Sequence, residues 1–150
     1  EPLGILEVRN RLARALGRST KVAAVLGADE HAYYRVLIDR SVPVGVPARD
    51  DKDEDGRIDW REDEPASPLD GLEHPVWYVT CGGGGAPYYS EEATPWTVYW
   101  NEQAEPRRGF YYSSQENLLL FRADEERISL RVINPYGETI DAVENLVGGK

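Results

Sequence analysis

The sequence predicts an α+β fold in which a long N-terminal helix packs on an antiparallel β-sheet, with an EF-hand-like calcium loop inserted between them. Three features predict it. Residues 1–27 carry apolar side chains at helical spacing, residues 42–75 are rich in proline and acid, and residues 76–150 contain short β-rich runs between turn residues. The length of 150 residues fits a single domain with its own hydrophobic core.

The N-terminal helix is predicted from one apolar stripe. Its members recur mostly at steps of three or four residues, and they are Ile5, Val8, Leu12, Leu16, Ala23 and Leu26. Gly17 interrupts the pattern and Ser19 is a suitable cap for a second helical segment, so a kink is expected there. Gly27 is well placed to end the helix.

The strands are predicted from β-branched and aromatic runs. The first covers residues 32–39, and later ones cover residues 76–81, 97–101, 109–113, 118–122 and 128–134. Their short connections favour antiparallel pairing. Residues 138–147 fit either a last helix or a last strand.

The acidic loop at residues 51–62 carries the strongest functional signal. Calcium binds about six to eight oxygens, and the twelve-residue EF-hand pattern supplies them at fixed positions around a tight turn at a glycine, here Gly56. The predicted ligands are Asp51, Asp53, Asp55, the backbone carbonyl of Arg57, Asp59 and Glu62. Six acidic side chains in twelve residues would repel one another without a cation.

The sequences that flank this loop predict a structural calcium ion. A sensor EF-hand needs a helix on each side, but Pro43, Pro47, Pro65 and Pro68 prevent long helices here. We therefore expect an affinity of about 10⁻⁴–10⁻³ M, typical of extracellular modules. The chain is accordingly expected outside the cell or on its surface.

Composition excludes several other functions. The net charge of −10 opposes nucleic-acid binding, and no apolar run is long enough to span a membrane, so membrane attachment would need a segment outside this chain. Cys81, the single cysteine, precedes a run of four glycines that lacks a phosphate-loop ending. No base lies near Cys81 in the sequence. The densest group of carboxylates is the calcium loop, so no separate pair of acidic residues suggests acid–base catalysis. The chain is predicted not to be an enzyme.

Two surface features indicate partners. Arg11, Arg14, Arg18 and Lys21 lie along one face of the predicted helix, which is either a solvated face or a contact face for an acidic partner, such as the acidic centre of a neighbouring copy. Aromatic clusters at residues 88–89, 96–100 and 111–112 either pack across the sheet or form a sugar-stacking platform.

Three stretches resemble type IV pilin-like proteins, especially minor pilins and type II secretion pseudopilins. Residues 6–26 (LEVRNRLARALGRSTKVAAVL) resemble the exposed half of a pilin helix. Residues 110–122 (FYYSSQENLLLFR) and 142–147 (AVENLV) are similar to a minor-pilin hairpin and the segment that follows it. The resemblance implies a non-enzymatic subunit of an extracellular filament assembly, in which residues 51–62 hold a structural calcium.

Two alternatives remain. The opening helix, the strand within residues 33–38 and the closing residues 128–147 also resemble phage tail-terminator or tail-completion proteins. The aromatic residues allow a third interpretation, a calcium-stabilised carbohydrate-binding module.

Overall fold

A computed structural model describes residues 5–39, 53–54, 72–85, 87 and 111–147. These residues form one helix, α1 (Ile5–Gly17), and seven strands. The strands are β1 (Ala24–Gly27), β2 (Tyr33–Ile38), β3 (Val76–Cys81), β4 (Tyr111–Ser113), β5 (Leu118–Ala123), β6 (Ile128–Ile133) and β7 (Thr139–Val143).

The strands form two sheets. The first sheet has the order β1-β3-β2-β4, in which β1 pairs with β3 in parallel and the other pairs are antiparallel. The second sheet is the antiparallel meander β5-β6-β7. Strand β7 settles the choice that the sequence left open for residues 138–147 in favour of a strand.

The predicted α+β fold with a long N-terminal helix is wrong. Helix α1 has 13 residues and ends at Gly17, and residues 24–27, expected to be its last turn, form strand β1. The run Val22–Leu26 is short and apolar, which suits a helix and a buried strand equally well. Pairing with β3 decides for the strand, because Ala24 and Val25 lie opposite Trp77 and Tyr78.

The apolar stripe of the helix does not pack on the sheet as expected. Val8 is 54% exposed and Leu12 is 51% exposed, whereas Ala13 is buried and packs with Leu72 and Ile38. The side that faces the protein is therefore the side of the small residues Ala13 and Gly17. Small residues let the backbone approach closely, which leaves the larger aliphatic side chains on the opposite side.

The hydrophobic core lies between the two sheets. Tyr33, Trp77 and Val79 contribute from the first sheet, and residues of the second sheet and the segment after it complete the cluster: Leu130, Val132, Val143 and Leu146. One core shared by two sheets holds them face to face.

Most strand positions are confirmed. Strand β3 matches the predicted residues 76–81, β5 and β6 differ from prediction by one residue at one end, and β2 is one residue shorter than predicted at each end. Strand β4 covers residues 111–113 of the predicted 109–113, and residues 109–110 lie outside the described residues. The predicted strand at residues 97–101 lies outside the described residues.

Candidate metal centre and charged clusters

The predicted calcium loop belongs to the connection between two paired strands. Strands β2 and β3 are antiparallel neighbours, and Ile38 at the end of β2 lies opposite Val76 at the start of β3. Residues 39–75 join them. Near the other end of this connection, Leu72 is 2% exposed and packs with Ile38 against Ala13 of α1. Both ends of the acidic connection are therefore fixed by the sheet and the helix.

The described part of the chain includes one of the six predicted calcium ligands, Asp53, which is exposed. The next residue, Glu54, is also exposed and has a φ of 59°, a left-handed conformation that non-glycine residues adopt mostly in tight turns. The other five ligands lie outside the described residues: Asp51, Asp55, Arg57, Asp59 and Glu62.

The ligand chemistry fits calcium better than a transition metal. The predicted set supplies carboxylate and carbonyl oxygens, which a hard cation prefers, and includes neither histidine nor cysteine. Elsewhere, the residues that the structure describes contain no group of three or more His, Cys, Asp or Glu side chains placed to hold a metal.

A buried ion pair joins the two sheets. Arg35 in β2 donates from Nε to Asp141 Oδ2 at 2.5 Å and from Nη2 to Asp141 Oδ1 at 2.8 Å. Tyr33 donates its hydroxyl hydrogen to the same Oδ2 at 2.6 Å. The Arg35 and Asp141 side chains are only 13% and 7% exposed, so this two-point contact is largely shielded from water.

The aromatic rings around Arg35 complete this cluster. The guanidinium carbon lies 5.2 Å from the ring centre of Trp77 and 5.9 Å from that of Tyr111, both within cation–π range. Burial, followed by the hydrogen bond to Asp141, raises the pKa of Tyr33, so the phenol stays neutral and keeps its proton to donate. The cluster therefore links the two sheets: Tyr33 and Arg35 of the first sheet donate hydrogen bonds, and the Asp141 carboxylate of the second sheet accepts them.

Sequence reasoning missed this cluster. Arg35 interrupts the apolar strand YYRVLI and Asp141 interrupts TIDAV, and charges within such runs are a signal for a buried pair. The partners lie 106 positions apart in the chain, so the sequence alone does not indicate that they meet.

The glycine run after Cys81 is a close-approach loop. A Cβ atom at Gly82 would collide with the backbone of Glu30, and one at Gly83 would collide with the side chain of Asn117. The Cys81 thiol donates to Asn117 Oδ1 at 3.1 Å. Burial raises the pKa of this thiol, which disfavours the nucleophilic thiolate.

A cavity of about 370 Å³ lies beside this loop, lined by residues that include Gly83, Asn117 and Asn134. Both asparagine side chains are 7% exposed, and both are engaged in hydrogen bonds within the protein. Asn134 Nδ2 donates to Glu138 at 2.8 Å, and Asn117 Nδ2 donates to the Gln115 carbonyl at 2.8 Å. These amides therefore shape the loops rather than presenting free groups to the cavity.

The predicted contact residues differ in exposure. Arg11, Arg18 and Lys21 are exposed, whereas Arg14 is half-buried and its Nε has no hydrogen-bond partner among the described residues. Arg14 thus points toward the side of the helix that packs on the protein. Because α1 ends at Gly17, the four cations do not form one continuous helical stripe.

Among the described residues, neither the aromatic clusters nor the two histidines belong to a metal-binding group. The aromatic residues at 88–89 and 96–100 lie outside the described residues, while Tyr111 and Tyr112 are half-buried in β4. His31 Nδ1 is 2.7 Å from the carbonyl oxygen of Pro87, and the backbone N–H of His74 donates to the Gly17 carbonyl.

Comparison of the chain with protein-family models, curated proteins and solved structures finds no match. Within the described ranges, no helix is both long enough and apolar enough to cross a membrane.

Proposed function

We propose that this protein is a non-enzymatic, calcium-stabilised structural subunit of an extracellular or cell-surface assembly. The observation that carries the proposal is the position of the acidic loop, in a long connection whose two ends are fixed by β2, β3 and α1. A cation bound there stabilises the body of the protein, because ordering the connection also holds the strands that it joins.

The physical need for calcium follows from charge and chain entropy. The loop places six carboxylates within twelve residues, and their mutual repulsion opposes a compact turn. A long connection is also costly to order, and a cation that binds the folded state alone offsets that cost. At a calcium concentration about 100 times the dissociation constant, the gain in unfolding free energy is about 2.7 kcal/mol.

The assembly role is supported by the exposed aliphatic side chains and by the pilin resemblance. Val8 and Leu12 on α1 and Leu118 and Phe121 on β5 are large hydrophobic residues that are each more than 40% exposed. The resemblance to minor pilins and pseudopilins supplies the proposed type of assembly, a filament outside the cell. Its expectation of a helix that continues to Gly27 is not met.

A thermal melt tests the calcium role. The protein is first treated with chelator, and calcium and magnesium are then added back in separate titrations. We expect calcium, but not magnesium, to raise the melting temperature by roughly 5–10 °C at about 100 times the dissociation constant, as a gain of about 2.7 kcal/mol predicts for a chain of this size. The rise should begin near the expected dissociation constant, about 0.1–1 mM calcium, and should grow with the logarithm of the calcium concentration above it.

Matched variants identify the ligands. Asp53→Asn combined with Asp55→Asn removes two predicted ligands and should abolish the calcium-dependent rise. Glu54→Gln is the control, because Glu54 is an exposed acid of the same loop at a position that the EF-hand pattern does not use. An equal response of parent and double variant to calcium would contradict the proposed site.

The assembly role has its own test, sedimentation velocity of the calcium-loaded protein over a range of concentrations. Concentration-dependent self-association would support it. A protein that binds calcium but stays monomeric at every concentration would exclude a self-assembling subunit. Binding to polysaccharide that is lost on Trp96→Ala or Trp100→Ala would favour the carbohydrate-binding alternative instead.

A further inference from the structure

A groove lies between β1, which is at the end of the first sheet, and β5, which is at the end of the second sheet. Its cavity has a volume of about 370 Å³, within the range of about 300–1,000 Å³ that is typical of small-molecule sites. Residues that lead into and form β1 line one side, and residues of the second sheet and the segment after it line the other. We call the following set the inter-sheet groove: Lys21, Val22, Leu26, Phe121, Ile128 and Leu146.

The inter-sheet groove extends from exposed apolar side chains down to the hydrophobic core. Leu26 is 60% exposed and Phe121 is 43% exposed. Leu146, in contrast, is 1% exposed and belongs to the core cluster, against which Ile128 also packs. A ligand that fills the groove would therefore contact the core at its inner end and cover Leu26 and Phe121 at its outer end. Burying such apolar surface stabilises a complex.

Lys21 is the one charged residue among the described residues that line the groove, and the other lining residues are apolar. It is exposed, and it takes part in neither of the ion pairs found in the described part of the chain, Arg35–Asp141 and Arg127–Asp124. The long aliphatic stem of a lysine can cover an apolar wall while its ammonium group stays in water. A mostly apolar site with one charged group selects a ligand that is apolar along its length and oppositely charged at one end.

We infer that the inter-sheet groove binds a free single-chain anionic amphiphile, such as a fatty acid. The carboxylate lies beside the Lys21 ammonium group, and the alkyl chain lies along Leu26 and Phe121 toward Leu146. The net charge of −10 repels an anion at long range, so burial of the alkyl chain supplies most of the affinity. This role goes beyond the proposed structural function and does not depend on the calcium loop.

The shape and charge of the groove favour a free amphiphile over a membrane surface or a second copy. Membrane surfaces are recognised by clusters of about four to eight cations, whereas the groove has Lys21 alone among its described lining residues. Leu146 lies at the inner end of a concave surface, where a flat bilayer does not reach. The grooves of two copies are both concave, so neither can fill the other.

Binding of sodium decanoate, kept below its micelle concentration, tests the inference. Isothermal titration calorimetry should show saturable binding of one decanoate per chain. Methyl NMR signals of Leu26, Ile128 and Leu146 should shift with the same dissociation constant. Octanoate is two methylenes shorter and should bind roughly ten times more weakly, because each buried methylene strengthens binding by up to about fourfold.

Matched variants locate the alkyl chain. Leu26→Gln and Phe121→Gln each replace an apolar side chain of the groove at an exposed position, so the fold should be retained. Each should weaken decanoate binding by about tenfold. Leu118→Gln is the control, because Leu118 is 57% exposed on the same strand as Phe121 and does not line this groove. Thermal melts establish that all three variants are folded.

A second pair of variants locates the carboxylate. Lys21→Gln should weaken decanoate binding by about twofold to fivefold, the range expected for an exposed ion pair. Binding of decan-1-ol, which has the same chain length without the charge, should not change. Arg18→Gln is the control, because Arg18 is an exposed cation near Lys21 that does not line the groove.

Several results would overturn the inference. One is the absence of saturable decanoate binding to the parent, and another is equal binding by Phe121→Gln and Leu118→Gln. Capture by phosphatidylglycerol vesicles without decanoate binding would instead assign the groove to a membrane. Self-association that is lost in Phe121→Gln, again without decanoate binding, would assign it to a contact between copies. Protection of the Leu26 methyl groups from a soluble nitroxide in the free protein would show that another part of the chain covers the groove.

Discussion

The two sheets are stabilised in different ways. In the second sheet, consecutive strands are neighbours, and each turn is closed by one of its own side chains. Asp124 Oδ1 accepts from the N–H groups of Glu126 and Arg127, and Asn134 Oδ1 accepts from those of Tyr136 and Glu138. Among the described strands of the first sheet, β2 and β3 are the only consecutive neighbours, and its long connections are residues 39–75 and 82–110.

The proposed cation distinguishes two acidic connections of the chain. The turn between β5 and β6, Asp-Glu-Glu-Arg, is also acidic, but Asp124 has backbone donors and the side chain of Arg127 close by. The connection between β2 and β3 concentrates six acidic residues in the twelve positions 51–62. We therefore expect the second sheet to be independent of calcium and the first sheet to depend on it.

The largest expected effect comes from removing the Arg35–Asp141 ion pair that joins the two sheets. Asp141→Ala leaves the Arg35 guanidinium buried and charged without its carboxylate, which typically costs about 3–5 kcal/mol in unfolding free energy. Denaturant unfolding measures this loss. Hydrogen exchange should show protection falling more in β2 and β3 than in β5 and β6, because the second sheet keeps its own turn contacts.

A double variant is the control for this prediction. Arg35→Met together with Asp141→Leu removes both charges and should recover much of the stability that Asp141→Ala loses, since no charge stays buried alone. If Asp141→Ala were as stable as the parent, the ion pair would not be the link between the sheets.

Local sequence patterns predicted much of the second sheet and part of the first. Strands β3, β5 and β6 follow runs rich in β-formers with turn residues at their ends, so propensity and structure agree. The end of the helix was not predictable in this way. The run after Ser19 is apolar and lacks a decisive period, and it becomes a strand because Trp77 and Tyr78 offer a pairing partner far along the chain.

The candidate site was predictable where its chemistry is local. The predicted calcium ligands lie within twelve residues, so they could be proposed from spacing alone, and they stay a prediction. The Arg35–Asp141 pair and the contact of Gly82 with Glu30 depend on tertiary structure, so only the unusual residue types gave a signal. Which side of α1 faces the protein depends on where small residues allow close approach. The spacing of the apolar residues does not show whether the side of Val8 and Leu12 or the side of Ala13 is the buried one.

The glycine run gives the second-largest expected effect, and it is specific to the first sheet. Gly82→Ala would place a Cβ against the Glu30 backbone, so the loop after β3 must shift, at a cost of about 1–3 kcal/mol. Gly84→Ala is the matched control, because open space surrounds that position and its φ does not require glycine. Equal melting temperatures for the two variants would contradict the close approach.

A smaller effect is expected from the turn between β6 and β7. Asn134→Ala removes the acceptor for two backbone N–H groups and the donor to Glu138, which should cost about 1 kcal/mol because water replaces part of these bonds. Chemical denaturation measures the change. Tyr136→Ala is the control, since that side chain is 88% exposed in the same turn and should contribute little.

The smallest effect concerns Asp124 and its dependence on pH. The N–H groups of Glu126 and then Arg127 hold the pKa of this carboxyl below its ordinary value of 3.8. A lowered pKa in the folded state means that the contribution is complete above pH 3.8 and is lost as pH falls through the folded-state pKa. Asp124→Asn should therefore lower the melting temperature slightly at neutral pH, and the difference from the parent should vanish in acid. Glu125→Gln changes net charge equally and serves as the control. A difference that persists unchanged at low pH would show that the shape of the Asp124 side chain, and not its charge, closes this turn. The expected independence of the second sheet from calcium could then not be explained by a carboxylate that has its own donors.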